Sequence, residues 1–571
     1  MKRHAAKTAT GAAVLIIALL SLVAIAAEYA APPIKLVPAE ETLKRAKGNL
    51  PKMIQTEDPA FTSFADRLYE KCLFDKLWEP IPAGLPYRWF SITGKDDQGY
   101  GKCQLLWDTM FILNAYAALD DDALIRDVFA NYWYTVDHNV EAPKGSFRYG
   151  MVPCTLNPEL PPVGYSQIPI LAWGCLMVYR QTNDRTLLEQ SFPYLLAFDH
   201  WYSTERDVDD DGLIELGTYK ASKISKMLQT AKYESFDFHP AVDGMKLTRH
   251  LKRESGGEWY GNVEGVDTTC ALLIGERALV EIARELGRED VVRSLEATIA
   301  RRVAAIQARM WDPATKFFYS VDRDSHEKIM VRTIQAFWTL TCGAATPAQA
   351  EALVGALRDP KQWWPDYPIP TVAMDDPRFK ARGFWRGDMW PPTNYLISLG
   401  LMNYSYFDVA RELADRMLKL VGTRGINERY NATTGDPLGA MDYCWTVLAW
   451  NMAVHARYGV QDDYRTIRIP EGARGRKLKI GKLELHYPAD DSVELRTAFE
   501  RRFKVIVPAG AGSVTVTADG TPLPSGDLNF THSGVGFTAF PGKTYRVSRR
   551  ARPCPGPEAR APRGPEAIPA R

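Results

Sequence analysis

The chain has 571 residues, of which 46% are hydrophobic and 11% aromatic, so it can build a large core and is not a disordered protein. Lysine and arginine total 70 and aspartate and glutamate 69, which gives a formal net charge of +1. This balance excludes an overall field that would recruit nucleic acid or anionic lipid, and it favours a neutral ligand. The eight cysteines contain no Cys-x-x-Cys pair, which argues against a zinc or redox site.

The N-terminus has the pattern of a secretory signal peptide. Lys2 and Arg3 precede an apolar run from Ala12 to Ala27 that ends in small residues, as a cleavage site requires. The run is shorter than the roughly 20 residues that cross a bilayer, so an uncleaved membrane anchor is the second interpretation. We therefore predict a signal peptide over residues 1–27 and a periplasmic or secreted protein.

From about residue 58 to residue 458 the apolar residues recur with a helical period. Thr346-Pro347-Ala348-Gln349 has the form of a capping box with proline at the first helical position, and Gly287 follows a periodic segment. Twelve predicted helices in successive pairs indicate an (α/α)6 toroid over residues 32–460. An α-solenoid is the alternative, but the sequence has no fixed internal repeat. The predicted helices cover 59–75, 103–118, 121–137, 164–181, 184–203, 262–286, 288–310, 330–342, 346–358, 388–402, 404–421 and 438–458.

After Gly459 the pattern changes to short alternating segments with turn dipeptides such as Asp519-Gly520. This pattern is typical of antiparallel strands, and we predict a small β domain over residues 463–549. Residues 550–571 are rich in proline, arginine and alanine, and we expect them to be disordered. The predicted fold class is mainly α, a six-hairpin toroid with a small C-terminal antiparallel β domain.

An acidic turn follows one of the predicted helices. Asp207, Asp209, Asp211 and Glu215 alternate with other residues, and such spacing can wrap several oxygens around one Ca²⁺ ion. The segment is not an EF-hand loop, because its twelfth position is Thr218. A solvated acidic turn is the alternative. We expect a structural Ca²⁺ ion here, since the crowded carboxylates otherwise repel one another, and we expect no organic cofactor.

Several loops combine tryptophan with polar side chains. Asp108 follows Trp107 at the start of a predicted helix, where it either favours the helix N-terminus electrostatically or binds sugar hydroxyls beside the indole ring. The segment from Trp385 to Asn394 is either core or a sugar-binding wall, and its polar residues favour the wall, because buried polar groups need partners. The predicted substrate-binding residues are Trp107, Asp108, Gln167, Trp385, Arg386, Trp390, Asn394, Tyr430 and Trp445.

Two glutamates are candidates for acid and base catalysis. Glu258 lies beside Trp259 and Tyr260, which could desolvate its carboxyl group and raise its pKa, as a general acid requires. Glu428 precedes a turn, and alone it would be an ordinary surface acid. Since glycoside hydrolysis uses a pair of carboxyl groups, we predict Glu258 as the general acid and Glu428 as the general base.

Five motifs in this order resemble glycoside hydrolase family 63: "WDT" at 107–109, "DVDDDGLIE" at 207–215, "ESGGEW" at 254–259, "FWRGDMWPPTNYL" at 384–396 and "ERYNATTGDP" at 428–437. The similarity is greatest to its bacterial branch, which includes mannosylglycerate and glucosylglycerate hydrolases, and it extends to family 37 trehalases. The resemblance implies an (α/α)6 barrel and an inverting, exo-acting hydrolase of α-glycosidic bonds. It also implies a base at Glu428 and a Ca²⁺ loop with the backbone oxygen of Leu213 among its ligands.

The catalytic acid departs from the family pattern. Members typically read Glu-Ser-Gly-x-Asp followed by Asn-Ser-Pro, with the Asp as acid, whereas this chain has Glu258 at the corresponding position and lacks the Asn-Ser-Pro. We predict an exported α-glucosidase or α-mannosidase that acts on glycosylglycerates or short oligosaccharides. Two alternatives remain: a carbohydrate-binding protein without hydrolytic activity, and a phosphate-dependent phosphorylase. The expected partner is a small substrate, with no nucleic acid and no membrane unless the N-terminal segment is uncleaved.

Overall fold

The computed structural model describes residues 39–81, 84–94, 101–140, 142–157, 163–218, 231–232, 234–249, 259–507, 513–531 and 534–550. The predicted signal peptide, residues 551–571 of the predicted tail and Glu258 lie outside these residues. Within them, no helix is long and apolar enough to cross a membrane. The cysteines in the same part of the chain are buried and not paired in disulfides.

The described chain is mainly helical. The predicted capping box is confirmed, since Thr346 and Gln349 exchange hydrogen bonds at the start of their helix, and Gly287 has a positive φ after another helix. The helices span Ala39–Met53, Pro59–Cys72, Leu106–Tyr116, Asp122–His138, Leu171–Thr182, Arg185–Glu205, Val266–Glu285, Glu289–Ala305, Trp338–Thr341, Pro347–Leu357, Pro391–Asn403, Phe407–Arg424 and Leu448–Tyr458.

The helices differ in how much of their surface is buried. Every residue of Leu106–Tyr116 and of Leu171–Thr182 is buried, and so is nearly all of Pro391–Asn403. By contrast, Glu289–Ala305 and Phe407–Arg424 bury one face and expose charged residues on the other. A helix that is buried all around lies inside other helices, so the fold has an inner and an outer layer of helices.

Short strands connect the helices, and longer strands follow them. The strands span Ile54–Thr56, Leu77–Trp78, Trp89–Phe90, Gln104–Leu105, Thr155–Leu156, Glu215–Thr218, Leu247–Arg249, Trp259–Glu264, Trp311–Asp312, Phe317–Phe318, Val321–Asp322, Asn427–Tyr430, Pro437–Met441, Thr466–Arg468, Lys477–Ile480, Leu483–Ala489, Ser492–Thr497, Arg501–Ile506, Ser513–Ala518, Thr521–Pro522, Asn529–Thr531, Gly534–Ala539 and Tyr545–Arg550.

The C-terminal strands form a seven-stranded and a four-stranded sheet, mostly antiparallel, with Thr466–Arg468 parallel to Arg501–Ile506. The strand Ile54–Thr56 from the N-terminal part forms an edge of the larger sheet, where Ile54 lies opposite Ile480. The apolar residues of both sheets join the core of the helical part. The helical part and the sheets are therefore connected by a shared core and by a shared sheet.

The predicted helices 438–458 and 330–342 are much shorter in the structure, and one further helix was not predicted. The predicted helix 438–458 begins only at Leu448, because the preceding residues form the strand Pro437–Met441 and a 3₁₀ turn. Gly439 has a positive φ there, and Pro437 has no amide hydrogen, so neither residue favours a helix. The predicted helix 330–342 is reduced to a 3₁₀ turn followed by Trp338–Thr341, and the helix Ala39–Met53 was not predicted.

Candidate functional site

A continuous aromatic wall lies between the loops of the helical part. The Trp107 ring centroid lies 5.6 Å from that of Trp445, 5.9 Å from Phe236 and 6.1 Å from Trp385. Phe236 stacks on Trp385 at 4.3 Å, and Trp385 stacks on Trp390 at 3.8 Å. The structure thus brings together the four tryptophans that the sequence predicted as substrate-binding, and it adds Phe236 to them.

Asp108 lies beside this wall, in the first turn of the helix Leu106–Tyr116. Its side chain is buried, and its Oδ1 accepts a hydrogen bond of 3.1 Å from the Tyr443 hydroxyl. Its Oδ2 has no hydrogen-bond partner among the described residues. Burial raises the pKa of Asp108 to about 7, and the negative charge of Glu428 adds to this effect. Asp108 can therefore keep a proton at neutral pH.

Glu428 lies on the strand Asn427–Tyr430 and is only 8% exposed. Its Oε2 accepts a 3.1 Å hydrogen bond from the Ala440 amide on the neighbouring strand, and its carbonyl oxygen accepts one of 2.7 Å from the Trp445 indole. A Cβ atom added at Gly439 would lie 1.9 Å from the same Oε2. The hairpin therefore packs directly against the carboxylate and fixes its position.

Asp237 is a third carboxyl group at the site, and the sequence prediction missed it. It follows Phe236 of the aromatic wall and is half-buried. The pKa of Asp237 is raised well above its usual value, first by burial and then by the negative charges of Asp108 and Glu428. Asp108, Asp237 and Glu428 are therefore close enough to influence one another electrostatically.

Two of the predicted substrate-binding residues have structural partners instead. Asn394 is buried and exchanges hydrogen bonds with the backbone of Ile369, and its amide also donates to the Trp390 carbonyl. Tyr430 is buried and donates to the Gly425 carbonyl at 2.6 Å. Both side chains hold the backbone in place beneath the site. A sugar contact by either of them stays an untested prediction.

Two further predicted substrate-binding residues, Gln167 and Arg386, each contact another residue of the protein. Gln167 is half-buried, and its Oε1 accepts a 3.0 Å hydrogen bond from the Trp107 amide. Arg386 follows Trp385 and forms an ion pair with Asp243, with Nη1 and Oδ2 3.0 Å apart. The ion pair orients the guanidinium group, because two parallel hydrogen bonds fix a planar fork.

A separate cluster of carboxylates lies in the acidic turn. Asp207, Asp209 and Asp211 bring ligand atoms within 4.8 Å of one another, and so do Asp209, Glu215 and Glu264. The predicted acids are therefore grouped as the sequence suggested. Glu264 ends the strand Trp259–Glu264, far along the chain, and no local spacing could have revealed it.

The buried members of this acidic cluster are poorly neutralised. Burial raises the pKa of Glu264 to about 8, with the charges of Asp211 and Asp209 adding to the shift, and it raises that of Glu215 well above its usual value. Within the described part of the chain, both carboxylate oxygens of Glu264 and Oε1 of Glu215 have no hydrogen-bond partner. Buried carboxylate oxygens without hydrogen bonds are costly, so this cluster is suited to a cation.

Arginines surround the same cluster. Arg309 Nη1 lies 3.1 Å from Asp211 Oδ2, and Arg323 Nη1 lies 3.8 Å from Glu215 Oε1. Leu213, the predicted backbone ligand, is buried, and its amide donates to Asp211 Oδ1 at 2.8 Å. The role of its carbonyl oxygen stays a prediction.

Comparison with known proteins identifies the family. The model of the mannosylglycerate hydrolase MGH1-like glycoside hydrolase domain matches residues 101–446. The chain belongs to this glycoside hydrolase family. The predicted resemblance to family 63 is confirmed, and the chain is a glycosyl hydrolase.

Individual relatives of this glycoside hydrolase are distant. A mannosylglycerate hydrolase of Thermus thermophilus is 24% identical over 387 residues, which cover 60% of this chain and 92% of the relative. A glucosylglycerate hydrolase of Mycolicibacterium hassiacum is 27% identical over 213 residues, covering 36% and 48%. The crystal structure of a family 63 mannosylglycerate hydrolase from Thermus thermophilus in complex with glucose has a TM-score of 0.53 and 22% identity, covering 67% of this chain and 99% of that chain. At this identity the structural match shows a shared fold.

One signal in the sequence could have revealed Asp237. The family acid follows a Glu-Ser pair and precedes a proline by three residues. In this glycoside hydrolase Glu234-Ser235 precedes Asp237, and Pro240 follows it by three residues. The spacing between the Glu-Ser pair and the Asp is one residue shorter than in the family pattern, whereas "ESGGEW" keeps that spacing and lacks the Asp and the Pro.

Proposed function

We propose that this glycoside hydrolase is an inverting, exo-acting enzyme that cleaves the α-glycosidic bond of small glycosides, with α-mannosylglycerate and α-glucosylglycerate as the first candidates. The observation that carries the proposal is the group of Asp108, Asp237 and Glu428 beside one aromatic wall. Aromatic rings provide apolar faces for a sugar ring, and paired carboxyl groups provide the acid and the base. The substrates named for the relatives support the choice of candidates.

We further propose that the helices form the (α/α)6 toroid. Several helices that are completely or mostly buried are each followed by a helix that exposes one face, as inner and outer helices of such a barrel would be. Asp108 and Asn394 lie in the first turns of two helices that are buried almost all around, and Glu428 lies on a strand that precedes a third mostly buried helix, Leu448–Tyr458. An arrangement in which the inner helices start at the same end would bring these loops together.

In the proposed mechanism Glu428 is the general base. An ionised Glu428 takes a proton from a water molecule whose oxygen attacks the anomeric carbon. The Ala440 amide donates to Oε2 and so fixes the carboxylate that takes the proton. Inversion needs room for this water, with the two carboxyl groups roughly 6.5 to 9.5 Å apart.

We assign the general acid to Asp237 instead of Glu258. A general acid must be protonated before the reaction, and the raised pKa of Asp237 meets this condition. As the bond from the anomeric carbon to the glycosidic oxygen breaks, the proton of Asp237 moves to that oxygen and the alcohol leaves. Glu428 ends protonated and Asp237 ionised, so the charge of the pair is conserved.

Asp108 is proposed to bind the sugar. Its Oδ2 has no hydrogen-bond partner among the described residues, and its pKa of about 7 lets it donate or accept a hydrogen bond near neutral pH. A hydrogen bond to a sugar hydroxyl would hold the ring against the aromatic wall and orient the anomeric carbon between the other two carboxyl groups.

Proton NMR of the products tests the function. The purified protein is incubated with α-mannosylglycerate, α-glucosylglycerate and short α-glucosides, with and without phosphate. We expect the β-anomer of the sugar to be released first without phosphate. Release of the α-anomer contradicts inversion, a need for phosphate indicates a phosphorylase, and a shift in melting temperature without any product indicates a binding protein.

We also propose that the acidic cluster binds a structural Ca²⁺ ion. Asp209, Asp211, Glu215 and Glu264 would supply carboxylate oxygens, and Asp207 would support the turn through the Asp211 and Gly212 amides. The buried oxygens of Glu215 and Glu264 that have no hydrogen-bond partner among the described residues support this assignment. When bound, the ion would join the acidic turn to the end of the strand Trp259–Glu264.

Finally, we propose that the enzyme is exported to the periplasm or secreted. The basic N-terminus and the apolar run that follows it support this proposal. The intact mass of the protein from the cell envelope and the medium tests it: loss of the first 25 to 30 residues, by the usual length of a signal peptide, indicates cleavage. An intact N-terminus in the membrane fraction indicates an anchor instead.

A further inference from the structure

We infer that Ser235, His239 and Asp267 form a positioning unit that fixes the backbone carrying Asp237 and so aims its carboxyl group at the glycosidic oxygen. The inference rests on the proposed role of Asp237. The three residues are buried, with 4%, 1% and 0% of their surfaces exposed, and Ser235 contacts the side chains of the other two. They act on the reaction through the position of Asp237.

The contacts of this unit converge on Ser235. The Ser235 hydroxyl donates a hydrogen bond to Asp267 Oδ2, and its oxygen lies 3.0 Å from His239 Nε2. The Phe236 amide also points to Asp267 Oδ2, at 3.4 Å. Because Ser235 precedes Asp237 by two residues and His239 follows it by two, the unit holds the chain on both sides of the catalytic carboxyl group.

The direction of the hydrogen bonds follows from their chemistry. The serine hydroxyl has one hydrogen and donates it to the Asp267 carboxylate, so His239 must carry its proton on Nε2 and donate it to Ser235. Burial lowers the pKa of His239 to about 4, so the ring is neutral at working pH. Asp267 lies in the first turn of the helix Val266–Glu285, where the helix dipole favours its negative charge.

A second set of contacts reinforces the same segment. Arg206 donates to both oxygens of Glu234, at 2.6 and 2.8 Å. The amides of Gly217 and Ser166 also donate to this carboxylate, at 2.7 and 2.9 Å. Glu234 and Ser235 are thus both fixed to the protein interior just before the residues that reach the pocket, which leaves Asp237 little freedom to move.

This arrangement differs from the nucleophilic triad of serine hydrolases. In such a triad the histidine lies between the serine and the aspartate, whereas here Ser235 contacts both partners itself. No solvent path to Ser235 is needed for a positioning role. A displacement of about 1 Å at a reacting group can lower a rate about 100-fold. By holding Asp237 in place, the unit would prevent a loss of rate of this size.

The test compares two leaving groups in the full-length protein. An alkyl α-glycoside needs a proton from the acid, whereas fluoride leaves the α-glycosyl fluoride of the same sugar without one. For Ser235→Ala and Asp267→Asn we expect kcat/KM to fall about 10- to 100-fold on the alkyl glycoside, mainly through kcat, and to change less than about threefold on the fluoride. Ser235→Thr retains the hydroxyl group and should recover most of the activity.

Two reference variants make the result decisive. Asp237→Ala is the benchmark for loss of the acid, and Glu276→Gln alters another buried acid of the same helix, which pairs with Arg302 at 2.7 Å and has no contact with this unit. Melting temperatures are measured for every variant. Glu276→Gln is expected to lose activity equally on the alkyl glycoside and on the fluoride. The inference is overturned when Ser235→Ala and Asp267→Asn also lose activity equally on the two substrates while Asp237→Ala distinguishes them. If Asp237→Ala itself does not distinguish them, the proposed acid is wrong and the inference falls with it.

Discussion

The surroundings of the carboxylates at the aromatic wall differ from those of the carboxylates in the acidic turn. Asp108 and Asp237 lie beside an aromatic wall and near the negative charge of Glu428. Asp211 and Glu215 in the acidic turn lie within 4 Å of arginine nitrogens. Desolvation is the largest cause of the raised pKa values in both groups.

The difference shows what each group is suited to hold. A carboxyl group in an apolar pocket with only acids nearby keeps a proton, and this proton is available for transfer to a substrate. A carboxylate among several oxygens without hydrogen-bond partners is better neutralised by a bound cation. Burial alone therefore does not define a catalytic acid, and the neighbouring groups decide its chemistry.

The largest effect is expected for Glu428→Gln, which removes the base and keeps the shape of the side chain. We expect kcat/KM to fall about 10³-fold or more, because general base catalysis contributes roughly 10² to 10⁴. Initial rates on the substrate found by NMR measure the loss. Glu412→Gln, on the helix Phe407–Arg424, is the control. A wild-type rate in Glu428→Gln would exclude Glu428 as the general base.

The second prediction compares Asp237→Asn with Glu258→Gln. We expect Asp237→Asn to lower kcat/KM on alkyl glycosides about 10²- to 10⁴-fold, because the amide cannot protonate the leaving oxygen. Glu258→Gln should stay within a few-fold of wild type. Rates measured with the same substrate settle the choice, and the reverse order of the two variants would restore Glu258 as the acid.

These two acids also illustrate what the sequence could predict. Local patterns located the tryptophans of the wall, Glu428 and the members of the acidic turn, because each lies in a short motif. Glu264 was missed because its role depends on contacts between segments that are distant in the chain, whereas Asp237 was missed because its local motif is one residue shorter than the family pattern. The sequence favoured "ESGGEW" on spacing alone, whereas the stacking of Phe236 on Trp385 places the segment that contains Asp237 at the aromatic wall.

Gly439→Ala is expected to perturb the base without changing its chemistry. The new Cβ would lie 1.9 Å from Glu428 Oε2, and the positive φ of 74° at this position disfavours alanine. We expect kcat/KM to fall about 10- to 100-fold as the carboxylate is displaced. The control is Gly542→Ala, also at a positive φ but in open space, which should lower only stability. Equal rates in the two variants would contradict a fixed position for Glu428.

Removal of calcium should affect stability in the acidic turn and leave the catalytic carboxyl groups unchanged. At a Ca²⁺ concentration 100 times its Kd, we expect a stabilisation of about 2.7 kcal/mol over the EDTA-treated protein, measured by thermal or denaturant unfolding. Glu264→Gln should abolish most of this difference. Asp210→Asn is the matched control, because its side chain lies in the same turn and is 76% exposed. A Ca²⁺ effect that Glu264→Gln leaves intact would place the ion elsewhere.

The smallest expected effect is a pH dependence that separates the two groups of carboxylates. The pKa of Glu264 is raised from its ordinary value to about 8, so the metal-free native state binds more protons than the unfolded state between about pH 4.5 and pH 8. Its contribution to the free energy of unfolding therefore decreases as the pH rises through this range. Bound Ca²⁺ would keep Glu264 ionised and remove this decrease. Melting curves in EDTA should thus show that stability decreases more from pH 5 to pH 8 in the wild type than in Glu264→Gln. Equal decreases in stability would mean that an arginine already neutralises Glu264.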